Sequence, residues 1–434
     1  MIVLAVNVGS TSLKLKVFSM DPAAGSSMPR GRRTAAEELL ASCRVERIGE
    51  AVSPVQVSAH GETRSSELHD ADHQSAIGAL ISILTDGRDG ILHGLDSIDA
   101  VGFKAVHAGE RSGAFLVDEA LLEIMQEYCD AAPSHNPAYI RAMRAFGELL
   151  PGRPLVAAFE TAFHRGMPDY AYTYSCPYEW YERHGIRRYG FHGASLRYVS
   201  ERVAQLLDAS PGGPPADLRL VACHLGGSSS ICAIRAGRSI DTSMGFTPQA
   251  GIPMNNRCGD IDPFILPFVQ QRENLTTGEL LSRLTENAGL KGISGLSADV
   301  RDLEEAAGRG HERAELALNV FAYSVKKHIG AYAAALGGLD VLAFSGGIGE
   351  GSAEVRTRVC RGLEFLGIVI DEARNTGRGG RGAKPEGETA GECVSSKEGM
   401  ISEEGAPVTV CVIPTDEEII VARETARLLG DATR

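Results

Sequence analysis

Three apolar segments of the chain each run into a turn rich in glycine or serine. The segments are residues 2–8, 218–224 and 339–345, and the turns are Gly9-Ser-Thr-Ser12, Gly226-Gly-Ser-Ser-Ser230 and Gly346-Gly-Ile-Gly-Glu-Gly351. A short apolar run that stops at a turn predicts a buried strand. Returning strands follow the first two turns, at residues 13–18 and 231–235. We therefore predict two β-hairpins in separate halves of the chain and a duplicated architecture.

These turns also suit phosphate chemistry. They offer backbone N–H groups and hydroxyls with few obstructing side chains, which a phosphate chain needs in a tight loop. One such turn is weak evidence, because hairpin turns use the same residues for backbone reasons. Three in one chain, with Lys14 beside the first, favour phosphate transfer. A dinucleotide fold is not predicted, because the third turn resembles G-x-G-x-x-G only loosely.

The length and charge of the chain narrow the choice of partner. A chain of 434 residues is long enough for two domains, and its net charge of −13 disfavours nucleic acid and anionic membranes. A small ligand in a local pocket fits better. The nine cysteines include no C-x-x-C pair, which argues against a disulfide framework or a zinc site and favours a cytoplasmic location. We expect neither a signal peptide nor a transmembrane helix.

Helical periodicity accounts for much of the remaining chain. The predicted helices span about residues 118–130, 137–150, 195–207, 262–271, 277–288, 299–307, 311–336 and 416–429, with another beginning at Ala353. Further strands are predicted at residues 155–159 and 407–413. Residues 21–41 and 374–398 are interpreted as solvated loops, the second because it is rich in Gly, Arg, Lys and Glu.

Arg257 and His192 are the candidate phosphoryl-binding side chains. Arg257 lies in Met254-Asn-Asn-Arg-Cys-Gly-Asp260, and its guanidinium fork suits a phosphoryl group in transfer. An ion pair with Asp260 beside the start of a helix explains the same residues structurally. His192 lies in Tyr189-Gly-Phe-His-Gly193, where it either donates to a phosphate or caps the helix that begins near Ser195. The residues alone leave both choices open.

The other histidines and the acidic residues are weaker candidates. His107, His135 and His164 lie beside apolar residues, where a structural role is more common. A metal is better sought among carboxylates, because Mg²⁺ prefers hard oxygens and often bridges to phosphates. In Pro414-Thr-Asp-Glu-Glu418 a helix cap explains Asp416, which leaves Glu417 open as a metal residue.

Taken in order, these segments resemble the acetate kinase family, which belongs to the superfamily of acetate and sugar kinases and actin. The resemblance covers nearly the whole chain, and two of its motifs are highly specific: Tyr-Gly-Phe-His-Gly and Asp-Thr-Ser-Met-Gly-Phe-Thr-Pro. The matching segments are 7–14, 106–110, 135–137, 159–164, 189–193, 224–226, 241–248, 257–263, 346–350 and 413–418.

The resemblance implies an α/β fold of two actin-like (ribonuclease H-like) domains with an active-site cleft between them. Residues 1–165 with about 416–434 are the implied N-terminal domain, and residues 166–415 are the C-terminal domain with the nucleotide pocket and the dimer interface. The implied reaction is reversible transfer of the ATP γ-phosphoryl group to acetate, or to a close short-chain carboxylate such as propionate. Mg²⁺ and a homodimer are implied as well.

The resemblance also implies the roles of single residues. Asn7 and Glu417 are the implied Mg²⁺ residues, and Lys104 and His135 the implied substrate-binding residues. The implied catalytic residues are Glu160, His192 and Arg257. The residues implied to bind the nucleotide and its phosphates are Ser10, Ser12, Lys14, His224, Leu225, Gly226, Gly227, Ser228, Asp299, Val300, Arg301, Gly347, Ile348, Gly349, Glu350 and Gly351.

This sequence departs from the family motifs mainly at the carboxylate end. Glu160 stands where the family has Asp, and Lys104 stands where it has Arg. The family's Leu-Gly-Asn-Gly is Leu225-Gly-Gly-Ser228 here, and its His-Gly-Thr-Ser-His is His192-Gly-Ala-Ser-Leu196. We hypothesise that the first two changes compensate, with Lys104 drawn back from the acceptor and Glu160 extended toward it. In that case Glu160→Asp alone lowers acetate activity, and adding Lys104→Arg restores it.

Two other functions remain open at this point. One keeps the phosphoryl-transfer residues but uses pyrophosphate as the donor or another carboxylate as the acceptor. The other is a non-catalytic regulator that binds a nucleotide. The presence of Asn7, His192, Arg257 and Glu417 argues against the regulator, because binding alone does not require an arginine that stabilises a transition state.

Overall fold

The computed structural model describes residues 1–9, 11–21, 37–86, 91–133, 135–208, 213, 215–377 and 398–432. These residues form two compact units. The first contains Met1–Arg165, Gly193–Tyr198 and Asp416–Arg434, and the second contains Gly166–His192 and Val199–Thr415.

Strands and helices are numbered in chain order. The strands are β1 (Ile2–Val8), β2 (Leu13–Met20), β3 (Glu37–Val45), β4 (Val52–Ala59), β5 (Glu62–His69), β6 (Ala100–Ala105), β7 (Ala114–Leu116), β8 (Leu155–Phe159), β9 (Arg219–Leu225), β10 (Ser229–Arg235), β11 (Arg238–Thr242), β12 (Val341–Ser345), β13 (Gly399–Met400) and β14 (Thr409–Val412). The helices are α1 (His73–Thr85), α2 (Glu119–Glu127), α3 (Asn136–Leu149), α4 (Asp169–Tyr172), α5 (Glu179–His184), α6 (Gly193–Asp208), α7 (Ile265–Glu273), α8 (Thr277–Glu286), α9 (Gly289–Ser294), α10 (Val300–Gly308), α11 (Glu312–Leu336), α12 (Gly346–Gly351), α13 (Ala353–Cys360), α14 (Glu372–Asn375) and α15 (Glu417–Ala432).

The first unit is built on an eight-stranded sheet with the order β5-β4-β3-β2-β1-β6-β8-β7. β1, β6 and β8 are parallel, and the remaining neighbours pair antiparallel. Helix α15 packs on the sheet, where Ile420 and Ala422 join Val3 and Ala5 of β1 in one apolar cluster. Helix α3 packs on β6 through an edge-to-face contact between Phe146 and Phe103, with ring centroids 5.4 Å apart.

The second unit is built on a six-stranded sheet with the order β11-β10-β9-β12-β14-β13. Its core contains residues of β9, β12 and β14, and the long helix α11 contributes Leu318, Phe321, Val325 and Ile329, which are fully buried. Buried parallel strands read as continuous apolar runs, which explains why Val341–Ser345 could be recognised in the sequence.

The two sheets repeat one pattern of strands. β3-β2-β1-β6-β8-β7 and β11-β10-β9-β12-β14-β13 have the same succession of antiparallel and parallel pairs. In both, a glycine-serine turn joins the two strands of a hairpin, and the first strand of that hairpin pairs in parallel with the next central strand. The duplicated architecture predicted from the two hairpins is therefore confirmed.

Two of the segment predictions need correction. The segment 21–41 was predicted to be a loop, but Glu37–Val45 is strand β3, which pairs with β2 and β4. The third glycine-rich segment is not an open turn, because Gly346–Gly351 forms the short helix α12. In the second predicted loop, Arg374 and Asn375 end α14, and residues 378–397 lie outside the described part of the chain.

None of the described helices is both long and apolar enough to cross a bilayer.

Candidate active site

Asn7 lies near the carboxyl end of β1, in the first unit. The hydroxyl of Tyr139, on α3, donates to Asn7 Oδ1 at 3.1 Å and accepts the backbone N–H of Val8 at 3.0 Å. Burial raises the pKa of the Tyr139 phenol, so the hydroxyl keeps its proton for this hydrogen bond. Asn7 Nδ2 donates to Glu418 Oε1 at 3.4 Å. These contacts fix the orientation of the Asn7 amide.

Lys104 and Glu417 form a nearly buried ion pair in the same unit. Lys104 lies on β6, and its Nζ is 2.6 Å from Glu417 Oε2 in the first turn of α15. Burial lowers the pKa of Lys104, but the carboxylates of Glu417 and Glu160 outweigh that effect and hold it well above its ordinary value. The amine is therefore protonated. The structure turns Lys104 toward a carboxylate of its own chain, which the sequence did not predict.

A second lysine binds the acidic residues on either side of Glu417. Lys16 Nζ, on β2, lies 2.9 Å from Asp416 Oδ1 and 3.2 Å from Glu418 Oε2. Asp416 Oδ1 also accepts the backbone N–H of Ile419, so the predicted helix cap is confirmed. Three consecutive carboxylates at the start of α15 are thus held by lysines from two strands of the sheet.

Glu160 follows β8 directly and is 4% exposed. Its backbone N–H donates to the carbonyl of Ala105 at 2.8 Å, and its own carbonyl accepts the N–H of Gly193 at 3.0 Å. A Cβ atom on Gly193 would lie 2.1 Å from the Glu160 carbonyl oxygen, so only glycine permits this approach. Glu160 is therefore held at the strand end by backbone contacts on both sides, with its charge next to Lys104.

The first phosphate loop is only partly described, because Ser10 lies outside the described residues. The N–H of Gly9 donates to the carbonyl of Ser12 at 2.8 Å, which closes the turn. Ser12 is half-buried and Lys14 is exposed. His135 precedes α3 and is half-buried, and its side chain makes no capping hydrogen bond to that helix. The roles expected for these residues remain predictions.

The other two candidate histidines are fully buried. His107 Nδ1 accepts the backbone N–H of Gly109 at 3.0 Å, and its ring stacks on Tyr128 with centroids 4.7 Å apart. His164 has no exposed surface. These surroundings agree with the structural role that their apolar neighbours suggested.

His192 is the first candidate in the second unit, and its backbone is strained. Its φ angle of 58° is left-handed, which costs a residue with a side chain roughly 1–3 kcal/mol. Nδ1 of the ring lies 2.8 Å from the Ser230 hydroxyl, and the ring stacks on His224 with centroids 4.2 Å apart. His192 is nearly buried. Residues held in such conformations cluster at functional sites, where neighbouring contacts maintain the strain.

Arg257 is a largely buried cation whose contacts are neutral. Its Nη1 donates to the Ser228 hydroxyl and to the Pro248 carbonyl, both at 3.3 Å. Within the described residues it forms no ion pair. The sequence alternative of an Arg257–Asp260 ion pair is wrong, because Asp260 Oδ1 accepts the backbone N–H of Gly251 instead. Burial lowers the pKa of Arg257, so an anionic ligand would relieve an uncompensated charge.

Two of the three predicted nucleotide segments lie side by side. A Cβ atom on Gly226 would be 3.8 Å from the backbone nitrogen of Gly347. Glu350 Oε1 accepts the backbone N–H groups of Gly346 and Thr415, at 2.9 and 3.1 Å, so it stabilises its own helix. The hairpin turn of β9 and β10 therefore borders the start of α12.

The third nucleotide segment begins α10. Asp299 caps that helix by accepting the N–H of Arg301 at 2.9 Å, and it forms an exposed ion pair with the Arg301 guanidinium. Val300 is buried. Farther along α10, Glu304 accepts a hydrogen bond from Ser352, the cap of α13, which directly follows α12. This contact ties α10 to the end of the Gly346–Gly351 segment.

Sequence reasoning missed several residues that hold these groups in place. Tyr139 carried no signal beyond its apolar position on a helix, and Ser230 looked like an ordinary turn residue. Arg356 is buried and donates to the carbonyls of Gly349 and Glu350 at 2.8 and 2.9 Å. Burial lowers the pKa of Arg356 to about 10. Partners like these could not be found from spacing, because their role depends on tertiary contacts.

Known proteins resemble the chain over nearly its full length. The model of the acetokinase family matches residues 2–423. The chain belongs to the acetokinase family. It is 45% identical over 428 residues to the acetate kinase of Bacillus velezensis, which covers 98% of this chain and 99% of that protein. The family resemblance seen in the sequence motifs is thereby confirmed.

Solved structures of the acetokinase family agree with the fold. The crystal structure of Porphyromonas gingivalis acetate kinase matches with a TM-score of 0.80 and 37% identity, over 99% of each chain. A propionate kinase from Francisella tularensis matches with a TM-score of 0.82 and 31% identity, over 98% of each chain. The α/β fold class expected of an acetokinase is confirmed.

Proposed function

We propose that this acetokinase transfers the γ-phosphoryl group of ATP to acetate, or to a close short-chain carboxylate such as propionate, and catalyses the reverse reaction. The observation that carries the proposal is Arg257, a largely buried guanidinium that hydrogen-bonds only to neutral groups in the described structure. The names of the relatives support acetate as acceptor, and the Francisella structure adds propionate.

The reaction is an in-line displacement. A carboxylate oxygen of the acceptor attacks the γ-phosphorus as the bond from that phosphorus to the β–γ bridging oxygen breaks. The electron pair of the broken bond stays on ADP, and no proton is transferred. Negative charge spreads over the equatorial oxygens in the transition state, so catalysis depends on positioning and on preorganised positive charge.

The second unit supplies groups for that charge. We assign Arg257 to the phosphoryl oxygens, where two parallel N–H donors fit the geometry. Ser230 and His224 hold the His192 ring, which we assign as a donor to the same group. Residues 224–228, 299–301 and 347–351 form the proposed nucleotide site.

The first unit supplies oxygen ligands. We propose that Asn7 and Glu417 hold Mg²⁺, with Ser10, Ser12 and Lys14 near the phosphates and with Glu160, Lys104 and His135 on the acceptor side. Mg²⁺ commonly takes one or two protein groups plus phosphate oxygens, so two side chains are enough to hold it beside a nucleotide. When bound, Mg²⁺ would neutralise charge on the phosphate oxygens.

The proposed activity is tested by trapping the acyl phosphate with hydroxylamine. Purified protein with ATP and Mg²⁺ should form a hydroxamate from acetate or propionate, and ADP should appear in equal amount. Formate, butyrate and succinate make up the rest of the panel. Hydroxamate formed with pyrophosphate but not with ATP would show that pyrophosphate is the phosphoryl donor. No product from any acid, with ATP still bound in calorimetry, would support the regulator instead.

We also propose that the protein is a homodimer that uses the surface of α7. No residue of this helix is buried in the protomer, although its apolar side chains are large. Phe264 is 79% exposed, Phe268 55% and Ile265 46%. Apolar side chains this concentrated on one short segment are typical of an association surface.

Replacing Phe264 by aspartate should convert the dimer to monomer at micromolar concentration, because a charge would have to be buried in an apolar interface. Light scattering after size exclusion measures the mass. Phe365 has the same exposure of 79% elsewhere in the unit, so Phe365→Asp is the matched control and should leave the dimer intact. A Phe264→Asp protein that stays dimeric would contradict this surface.

The two compact units and the cysteines support two further proposals. We propose that the units are the N-terminal and C-terminal domains expected from the resemblance, with boundaries near residues 165 and 416. A cytoplasmic location fits a reaction that consumes ATP, and every described cysteine is a free thiol.

A further inference from the structure

The segment around Asn255 lies along the hairpin turn between β9 and β10. The backbone N–H of Asn255 donates to the carbonyl of Gly227 at 3.4 Å. Two residues later, the Arg257 guanidinium donates to the Ser228 hydroxyl at 3.3 Å. The segment therefore contacts two successive residues of the turn, Gly227 and Ser228.

The side-chain amide of Asn255 stands next to Gly227. A Cβ atom built on Gly227 would lie 3.5 Å from Asn255 Nδ2, which is ordinary van der Waals contact. Asn255 Oδ1 is buried, accepts no hydrogen bond and, as an acceptor, takes no part in binding a phosphate. Nδ2, the amide atom beside Gly227, has no partner within the described residues. The N–H groups of Nδ2 are therefore donors without a protein partner beside a ligand loop, and they are the atoms that a ligand there would use.

The neighbours of this amide indicate the chemistry of that ligand. Arg257 brings a positive charge, Ser228 a hydroxyl and Asn255 an amide, and all three can donate hydrogen bonds. An anionic group rich in acceptor oxygens fits such a set, and a phosphate chain is one. At the position of Gly227 the family motif has an asparagine, and this chain has no side chain there. The amide of Asn255 adjoins the space that this side chain would enter.

We propose that Asn255 is a nucleotide-binding residue, whose amide donates to the phosphate chain of ATP or ADP beside Gly227. The assignment rests on the proposed function, because that function identifies the ligand as ATP or ADP. It adds a residue outside the nucleotide segments 224–228, 299–301 and 347–351.

Calorimetry with the full-length protein tests the proposal. Asn255→Ala should weaken ADP binding about tenfold, equivalent to about 1.4 kcal/mol, and leave adenosine binding unchanged, because adenosine has no phosphates. The matched control is Asn256→Ala, the adjacent residue of the same type, which should bind both ligands as the wild type does. Equal weakening of ADP and adenosine, or no weakening of ADP, would overturn the assignment.

A second variant covers the case in which alanine disturbs the loop. Asn255→Asp keeps the shape of the side chain and replaces the donor by a negatively charged acceptor, so it should weaken ADP binding more than alanine does. An aspartate variant that is folded by thermal melting and binds ADP normally would also overturn the assignment. Neither readout depends on acetate, so the two proposals fail separately. If the wild type formed the hydroxamate and both variants bound ADP normally, the assignment of Asn255 would fail and the proposed function would stand.

Discussion

Arg257→Ala should lower kcat/KM by at least about a thousandfold, the lower end of the effect of an arginine that stabilises a phosphoryl transition state. The fold should survive. The guanidinium is largely buried without a carboxylate partner in the described structure, so its removal relieves desolvation and leaves no buried anion behind. A coupled ADP assay gives the rate, and the thermal midpoint checks folding.

Two further variants separate the role of Arg257 from a general loss of charge. Arg257→Lys should recover only part of the rate, because a single ammonium cannot form two parallel hydrogen bonds to one phosphoryl group. Arg309→Ala is the control, since Arg309 is exposed and paired with Glu305 four residues earlier, and it should have the wild-type rate. If Arg257→Ala kept more than about a tenth of the wild-type rate, the role assigned to Arg257 would be wrong.

Lys104→Met should lower the free energy of unfolding by about 3 kcal/mol or more, because it leaves the Glu417 carboxylate buried without its cation. Adding Glu417→Gln should recover part of the lost stability, since the amide carries no charge to compensate, while the buried Glu160 carboxylate still lacks the lysine. Urea unfolding monitored by circular dichroism measures both. The double variant should remain inactive, because Glu417 is a proposed Mg²⁺ residue.

An exposed ion pair supplies the control for this experiment. Arg144→Met removes the partner of Glu119 at the surface and should cost at most about 1 kcal/mol. The pKa of Lys104 is raised in the folded state, so its contribution is fully present below its ordinary pKa of 10.5 and is lost only as the pH rises toward the folded value. Equal losses for Lys104→Met and Arg144→Met at neutral pH would contradict the importance of the buried pair.

The parts of the fold that could be predicted are those whose burial leaves a sequence pattern. Val341–Ser345 is buried throughout and reads as an apolar run, and the long helix Glu312–Leu336 has regular periodicity. Strand β5 (Glu62–His69) was not predicted, because it lies at the sheet edge and nearly all of its side chains are exposed. Its strand conformation comes from backbone pairing with β4 rather than from an apolar face.

Some residues of the candidate site could be predicted from the sequence, but most of their contacts could not. Arg257 and His192 lie in short motifs whose chemistry can be read locally, although only the structure excludes an ion pair between Arg257 and Asp260. The partner of Lys104 could not be read from the sequence, since 313 residues separate it from Glu417. The hypothesis that Lys104 and Glu160 compensate each other stays a prediction, and the observed Lys104–Glu417 contact gives Lys104 a partner other than the acceptor.

The contacts between α15 and the first sheet join segments that the ribosome makes far apart in time. Strand β1 is synthesised about 400 residues before α15, which packs on it and carries Glu417, as the separation of Lys16 from Asp416 shows. Domains usually fold as the ribosome releases them, N-terminal first. Here β1 lacks the apolar residues of α15 that cover it until that helix has been released. A chain interrupted anywhere before that point lacks both the completed core and a proposed metal ligand.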